Sequence, residues 1–243
     1  MAMRAGVAGR VDPAFAALAD LFQTSVAQGS ERGALAVLVD GRAVVDLWGG
    51  VGNLNTGRSW AGDTLACCFS VTKGVFALLI HRLIDLGLLS LDTPVATLWP
   101  AFAAHGKSAI TVGDVLTHRA GLPAVDGPVR PGLLYDQPAM AATLAASRCV
   151  VPPRAEPAYH NMTFGTLLAE IAERATGSDI RTLIRQHLCG PSGAEFALGL
   201  GRTERARRAT LRQGAPEALE GALRGGPVTV FARSVAVFDR GGD

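Results

Sequence analysis

The stretch Phe69-Ser70-Val71-Thr72-Lys73-Gly74-Val75-Phe76-Ala77-Leu78-Leu79-Ile80-His81-Arg82-Leu83-Ile84-Asp85-Leu86-Gly87 decides how this chain is to be read. Val75, Leu78, Leu79, Leu83 and Leu86 recur at intervals of three and four, which stacks them on one helix face. Gly87 closes the pattern as a C-terminal glycine does. The spacing predicts a well-buried helix over 70–86, starting at or just before Ser70. Its first turn carries a hydroxyl at Ser70 and an amine at Lys73, three residues apart and therefore on one face and nearly in contact. A serine beside an amine is a nucleophile beside a base, and the N–H groups of a helix start can hold developing negative charge. The competing reading makes Ser70 a simple N-cap and leaves Lys73 on the surface.

Lys73 is also notable for its rarity, since only Lys73 and Lys107 among the 23 basic residues are lysine. Arginine serves wherever a fixed charge suffices, whereas lysine can give up its proton. A lysine in this chain invites a reason, and proton transfer is one. A second candidate is Tyr159-His160-Asn161, which places a phenol and an amide on one side of the chain if the segment is extended ahead of the next helix. With two tyrosines in the chain, the joint chance occurrence of a Tyr-x-Asn triplet and the Ser-x-x-Lys pair is roughly 0.002, so coincidence explains them poorly.

Outward from these motifs the pattern is mixed. Asp12-Pro13 opens a helix over 13–27, with Phe15, Leu18, Leu21 and Phe22 at helical spacing. Ala34 to Val39, the Asp40-Gly41 turn and Arg42 to Trp48 predict two antiparallel strands. Gly49, Gly50 and Gly52 read as a strand end, because no Lys-Ser/Thr follows them and no helix opens there. Thr111 with Asp114 predicts a capping box. Helices are expected at 138–147, at 163–175 closed by Gly177, and at 179–188 closed by Gly190. Proline and glycine clusters at 121–138 and 150–157 mark loops within this helical region. Beyond Arg202 an arginine-rich helix at 202–213 and weak strands at 228–231 and 235–238 are expected.

Composition excludes several classes. With 243 residues, 49% hydrophobic and 18% charged, the chain can bury a sizeable core. A net charge of +2 is no nucleic-acid footprint, and five arginines in residues 202–212, interspersed with Glu204 and lacking aromatic neighbours, read as a solvated helix face. No apolar run reaches membrane-span length, and Arg10, Asp12 and Asp20 interrupt any secretion signal, so a soluble, cytoplasmic protein is expected. Cys67, Cys68, Cys149 and Cys189 show no C-x-x-C spacing and are expected to be reduced and buried. His81, His105, His118, His160 and His187 form no metal-binding pair, so no metal and no cofactor are expected. Gly190-Pro191-Ser192-Gly193 is a turn after a helix rather than a nucleophile elbow.

Taken together, Val45-Asp46-Leu47-Trp48-Gly49-Gly50, Phe69-Ser70-Val71-Thr72-Lys73-Gly74, Gly87-Leu88-Leu89-Ser90-Leu91-Asp92, Trp99-Pro100, Leu116-Thr117-His118 with Ala120-Gly121-Leu122-Pro123, and Ala158-Tyr159-His160-Asn161 resemble the serine β-lactamase-like hydrolases. That family includes class C β-lactamases, D-alanyl-D-alanine peptidases and family VIII carboxylesterases, and the likeness is closest to the esterase-like branch. It runs from about residue 34 to about residue 200.

The resemblance implies an α+β fold of the β-lactamase/transpeptidase type, an antiparallel sheet flanked by helices with a helical subdomain. One hydrolase domain would cover 1–200, with strands at 34–50, the nucleophile helix at 70–86 and a mainly helical region at 91–190. Residues 201–243 would form a divergent arginine-rich tail. It further implies Ser70 as nucleophile, Lys73 and Tyr159 as the proton-handling pair, Asn161 as a substrate-binding amide, His118 in a structural loop, His160 pointing away from the site, and a small ester or amide substrate without cofactor. The family's third motif, Lys/His/Trp-x-Gly on a late strand, has no convincing copy after Asn161. Arg224-Gly225-Gly226 is the nearest string. The chain also ends before family members normally do, so an incomplete sheet is expected, with strands 34–48 short of neighbours.

Two functions follow: a serine hydrolase forming an acyl-enzyme, with carboxylic esters ahead of β-lactams or D-alanyl peptides, or a catalytically impaired relative that keeps the cleft as a binding or interaction protein. Oligomeric state is left open.

Overall fold

The computed structural model describes residues 6–29 and 32–211. Residue contacts divide them into two compact units, one formed by the chain up to Cys68 together with 199–211, the other by 69–198.

The first unit is built on three antiparallel strands in the order β1-β3-β2, namely β1 (Val7–Val11), β2 (Gly33–Val39) and β3 (Arg42–Gly49). The predicted hairpin is present, with Asp40 and Gly41 both at positive φ in the turn. Such a turn matches the right-handed twist of its flanking strands. β3 has a neighbour the sequence did not foresee, since β1 pairs along its other edge from Val7↔Gly49 to Val11↔Val45, while β2 keeps one partner among the described residues, in line with the incomplete sheet expected. Gly9 permits this approach. It sits at φ +119°, and a Cβ there would stand 2.0 Å from the Asp46 carbonyl oxygen. Helix α1 (Ala16–Ala27), entered by a 3-10 turn at Pro13–Phe15 capped by Asp12, lays Ala19, Phe22 and Val26 on the buried Val44, Val45 and Leu47 of the sheet. A small hairpin, β4 (Val51–Asn53) and β5 (Arg58–Ser59), follows. The short helix α9 (Arg202–Arg207) leads back to it. There the Ala209 N–H donates to the Leu65 carbonyl and the Thr210 N–H to that of Gly52, both at 2.8 Å.

The second unit is helical. Helix α2 (Val71–Asp85) turns Phe76, Leu79, Ile80 and Leu83 inward and packs on Leu167, Leu168 and Ile171 of α6 (Phe164–Thr176). Each such buried side chain contributes roughly 1.5–3 kcal/mol relative to exposure. Around this pair lie α3 (Val95–Leu98), α4 (Val112–Leu116) with the predicted Thr111–Asp114 capping box, α5 (Gln137–Ala146) and α7 (Ile180–Ile184). Only part of α2 is buried, for Leu78 of the predicted stripe is 59% exposed and Leu86 is also exposed. Gly190 does not close the helix after 179. The chain passes through a π turn at Arg185–Cys189, continues helically through α8 (Gly190–Ser192), and stops at Gly193 in the left-handed region.

Lys107 is fully buried, and its ammonium donates to the carbonyls of Ala104, Ala145 and Ser147, all within 3.0 Å. Three N–H groups meet three carbonyls, so this lysine serves structure rather than proton transfer. Burial lowers its pKa, opposed by its neighbour Cys149. All four cysteines are free, yet Cys67 and Cys68 are exposed rather than buried. Among the described residues no helix is long and apolar enough to cross a membrane. The strands expected at 228–238 and the Arg224-Gly225-Gly226 string lie outside the described residues.

Candidate active site

Phe69 delivers the chain to α2 in the left-handed region, at φ +44°, a conformation a bulky residue rarely adopts and one that costs of order 1–3 kcal/mol. Ser70 then stands at the N-cap position, but its side chain makes no capping bond. Its Oγ instead accepts from Lys73 Nζ at 3.2 Å. The reading of Ser70 as a mere cap is thereby set aside. Lys73 is part-buried in the same first turn, and the two side chains share a face because they are three residues apart on a helix.

The second motif reaches this pair from 88 residues away. Lys73 Nζ donates to the Asn161 carbonyl oxygen at 2.7 Å and lies 4.8 Å from the centre of the Tyr159 ring. The contact with Lys73 comes from the Asn161 backbone carbonyl rather than from its amide side chain. Nor is the segment extended throughout. The Asn161 N–H turns back to the Tyr159 carbonyl at 2.9 Å, which aims that of Asn161 at the amine. Burial alone would raise the Tyr159 phenol pKa. Hydrogen bonding with the Ser70 and Lys73 side chains, together with the Lys73 charge, outweighs it and holds the phenol below its ordinary range. Ser70 and Lys73 are thus hydrogen-bonded, with the Tyr159 phenol close enough to both for them to lower its pKa, and a nucleophile-type oxygen is exposed at the cluster's edge.

Two histidines missed as part of this arrangement support it from below. His160 is fully buried. Its Nδ1 meets the Ala158 carbonyl at 2.6 Å, and its Nε2 accepts the Leu122 N–H at 3.1 Å. That pattern fixes a neutral ring with the proton on Nδ1. Burial above all, with His118 adding to it and the Ala158 bond opposing, pushes its pKa down to about 4. His118 accepts the His160 backbone N–H on Nδ1 at 3.0 Å. The sequence signal for both was available only as proximity to the motif in one case and a loop histidine in the other.

A β-lactamase family model matches residues 18–239. The chain belongs to the β-lactamase family. It is 42% identical over 200 residues to the esterase/beta-lactamase LipL of Mycobacterium tuberculosis (strain ATCC 25618 / H37Rv), covering 81% of this chain and 45% of that protein. Among solved structures, a penicillin-binding protein homologue from Caulobacter crescentus superposes with a TM-score of 0.80 at 36% identity, covering 91% of this chain and 62% of that one. A family VIII carboxylesterase gives 0.79 at 32% identity, covering 96% and 64%. The fold is therefore of the α+β β-lactamase type, and the chain spans less than two thirds of each of these relatives.

Proposed function

We propose that the chain carries the nucleophile of a serine hydrolase that forms an acyl-enzyme, acting on carboxylic esters. The observation that carries this reading is the Ser70 Oγ held by Lys73 Nζ, within a cluster that also lowers the Tyr159 phenol pKa. Tyr159, stabilised as the phenolate by the Lys73 ammonium, takes the proton as Ser70 Oγ attacks the ester carbonyl. The same proton returns to the departing alkoxide, and water hydrolyses the acyl-serine. Lys73 orients both oxygens, itself fixed by the Asn161 carbonyl, and Asn161 contributes its side chain to substrate contact. No cofactor takes part in these steps.

Ester substrates are favoured by the esterase and carboxylesterase relatives. The alternative reading, a relative that keeps the cleft as a binding or interaction protein, predicts the opposite behaviour of Ser70. A fluorophosphonate probe followed by peptide mapping separates the two. Stoichiometric phosphonylation of Ser70 supports the hydrolase, and an unlabelled Ser70 in a folded chain supports the binding protein. Within the hydrolase reading, a short p-nitrophenyl ester is turned over with higher kcat/KM than nitrocefin. The reverse order assigns the site to β-lactams.

A further inference from the structure

His118 holds the second motif in place at two points. It leaves α4 at φ +60°, and the turn that follows is kept tight by Gly121, where a Cβ would stand 2.6 Å from the Val151 carbonyl oxygen. The His118 carbonyl accepts the Ala158 N–H at 3.0 Å. Its ring Nδ1 accepts the His160 N–H, also at 3.0 Å. Residues 158–160 are therefore pinned on both sides of Tyr159, by backbone and by side chain. The ring also packs at 4.8 Å from the Tyr159 ring and 4.7 Å from that of Phe164 at the start of α6.

An imidazole nitrogen accepts a hydrogen bond only while it carries no proton. Once Nδ1 is protonated, two N–H groups face each other across 3.0 Å and the pin must open. We infer that His118 is a positioning residue that holds Tyr159 against Ser70 and Lys73, and that protonation of its Nδ1 releases this hold and disables the site in acid. The inference rests on the acyl-enzyme reading only for its kinetic consequence.

The groups facing the imidazole are Lys73 from α2, Tyr159 and His160 from the second motif, and the uncharged Phe164 from α6. From α4 and the 150s loop, Asp114 and Arg154 are paired with each other at 2.8 Å, and Arg119 is exposed. Burial first, and then the Lys73 charge, lowers the His118 pKa. The ring thus stays neutral, and the pin closed, down into mildly acidic solution.

The test uses His118→Asn and His118→Leu. Asparagine tolerates φ +60° and offers an amide oxygen where Nδ1 stood, but does not titrate, whereas leucine offers no acceptor. Fluorophosphonate labelling rates and p-nitrophenyl acetate turnover are measured from pH 4.5 to 8, with circular dichroism as the fold control. His118→Leu is expected to lose tenfold or more in kcat with KM nearly unchanged, and His118→Asn to recover most of that loss. The ratio of the His118→Asn rate to the wild-type rate should be flat near neutrality and climb towards tenfold per pH unit in acid. Rates in His118→Leu equal to wild type, or a ratio independent of pH, overturn the inference.

If His118→Leu does not fold, the ratio for His118→Asn decides. If the wild type does not label Ser70, the acyl-enzyme reading falls and the positioning role is still read directly. In a Tyr135→Phe background Tyr159 is the one remaining tyrosine, and its ultraviolet titration should move upward in His118→Leu but not in His118→Asn. An unmoved titration overturns the inference without reference to turnover.

Discussion

At the scale of single residues, the two lysines show how far side-chain chemistry alone can be read. Both are rare enough to demand a reason, and both have one, but the reasons differ. Lys73 meets a hydroxyl and one carbonyl beside an exposed serine. Lys107 meets three carbonyls in the core. Sequence spacing revealed the first because its partner lies three residues away. It was silent on the second because Ala145 and Ser147 lie about forty residues on. For the Ser70 cluster, Ser70→Ala should abolish labelling by a fluorophosphonate while the melting temperature stays within a few degrees. Lys73→Arg should be nearly as damaging, since a planar guanidinium cannot reproduce the amine's contacts with Ser70 and Asn161. Substantial ester hydrolysis in Lys73→Arg would count against the mechanism. Lys107→Met should leave the buried Ala145 and Ser147 carbonyls without this donor, and an unpaired buried polar group costs ~1–3 kcal/mol. Chemical denaturation should therefore show a loss of about 3 kcal/mol or more, with Lys107→Arg no rescue because the fork does not fit three converging acceptors.

At the scale of elements, what was legible followed from local periodicity and punctuation. The 40–41 turn, the Thr111–Asp114 box and the Gly177 stop of α6 all act within a few residues, and each stands where its signal placed it. Strand β1 had no such signal. Val-Ala-Gly-Arg-Val neither alternates cleanly nor avoids glycine, and its glycine is there because another strand's backbone comes too close for a side chain. The pairing is thus dictated by a tertiary contact that no local pattern encodes. The Tyr159–Asn161 segment is similar in part, since His118 bonds it from about forty residues away in addition to its own local turn. For β1 the consequence is testable. Gly9→Val should unseat the strand from β3, because the new Cβ would collide with the Asp46 carbonyl at a position already at φ +119°. Hydrogen exchange should then rise on the β1-facing amides of β3, with those paired to β2 less affected. Unchanged protection would show that the strand can shift to absorb the side chain.

At the scale of the whole molecule, the charge-sensitive groups are distributed unevenly between the two units. All five histidines fall within 69–198. His160 is fully buried at the heart of the helical unit with its pKa pushed down to about 4, and His118 is lowered as well. A histidine depressed in the folded state binds its proton more readily when unfolded, so stability is full above the ordinary imidazole pKa near 6.5 and falls as pH drops towards the folded value. For His160 that window runs from about 6.5 to about 4, and its shift corresponds to about 3 kcal/mol. The carboxylates act lower. Asp114 is held below its ordinary range, because although burial raises it, its bonds to Thr111 and Arg154 and the Arg154 charge prevail. Its share is therefore lost only as pH falls beneath about 4. Acid should accordingly loosen the helical unit first. Hydrogen exchange corrected for intrinsic rates should show protection in α6 falling between pH 6.5 and 4, while that of β3 and β2 holds over the same interval. His160→Asn should be less stable at neutrality, since the Leu122 N–H loses a well-placed acceptor, but should show a flatter stability profile across this window. An equally steep profile in that variant would assign the acid sensitivity to another group.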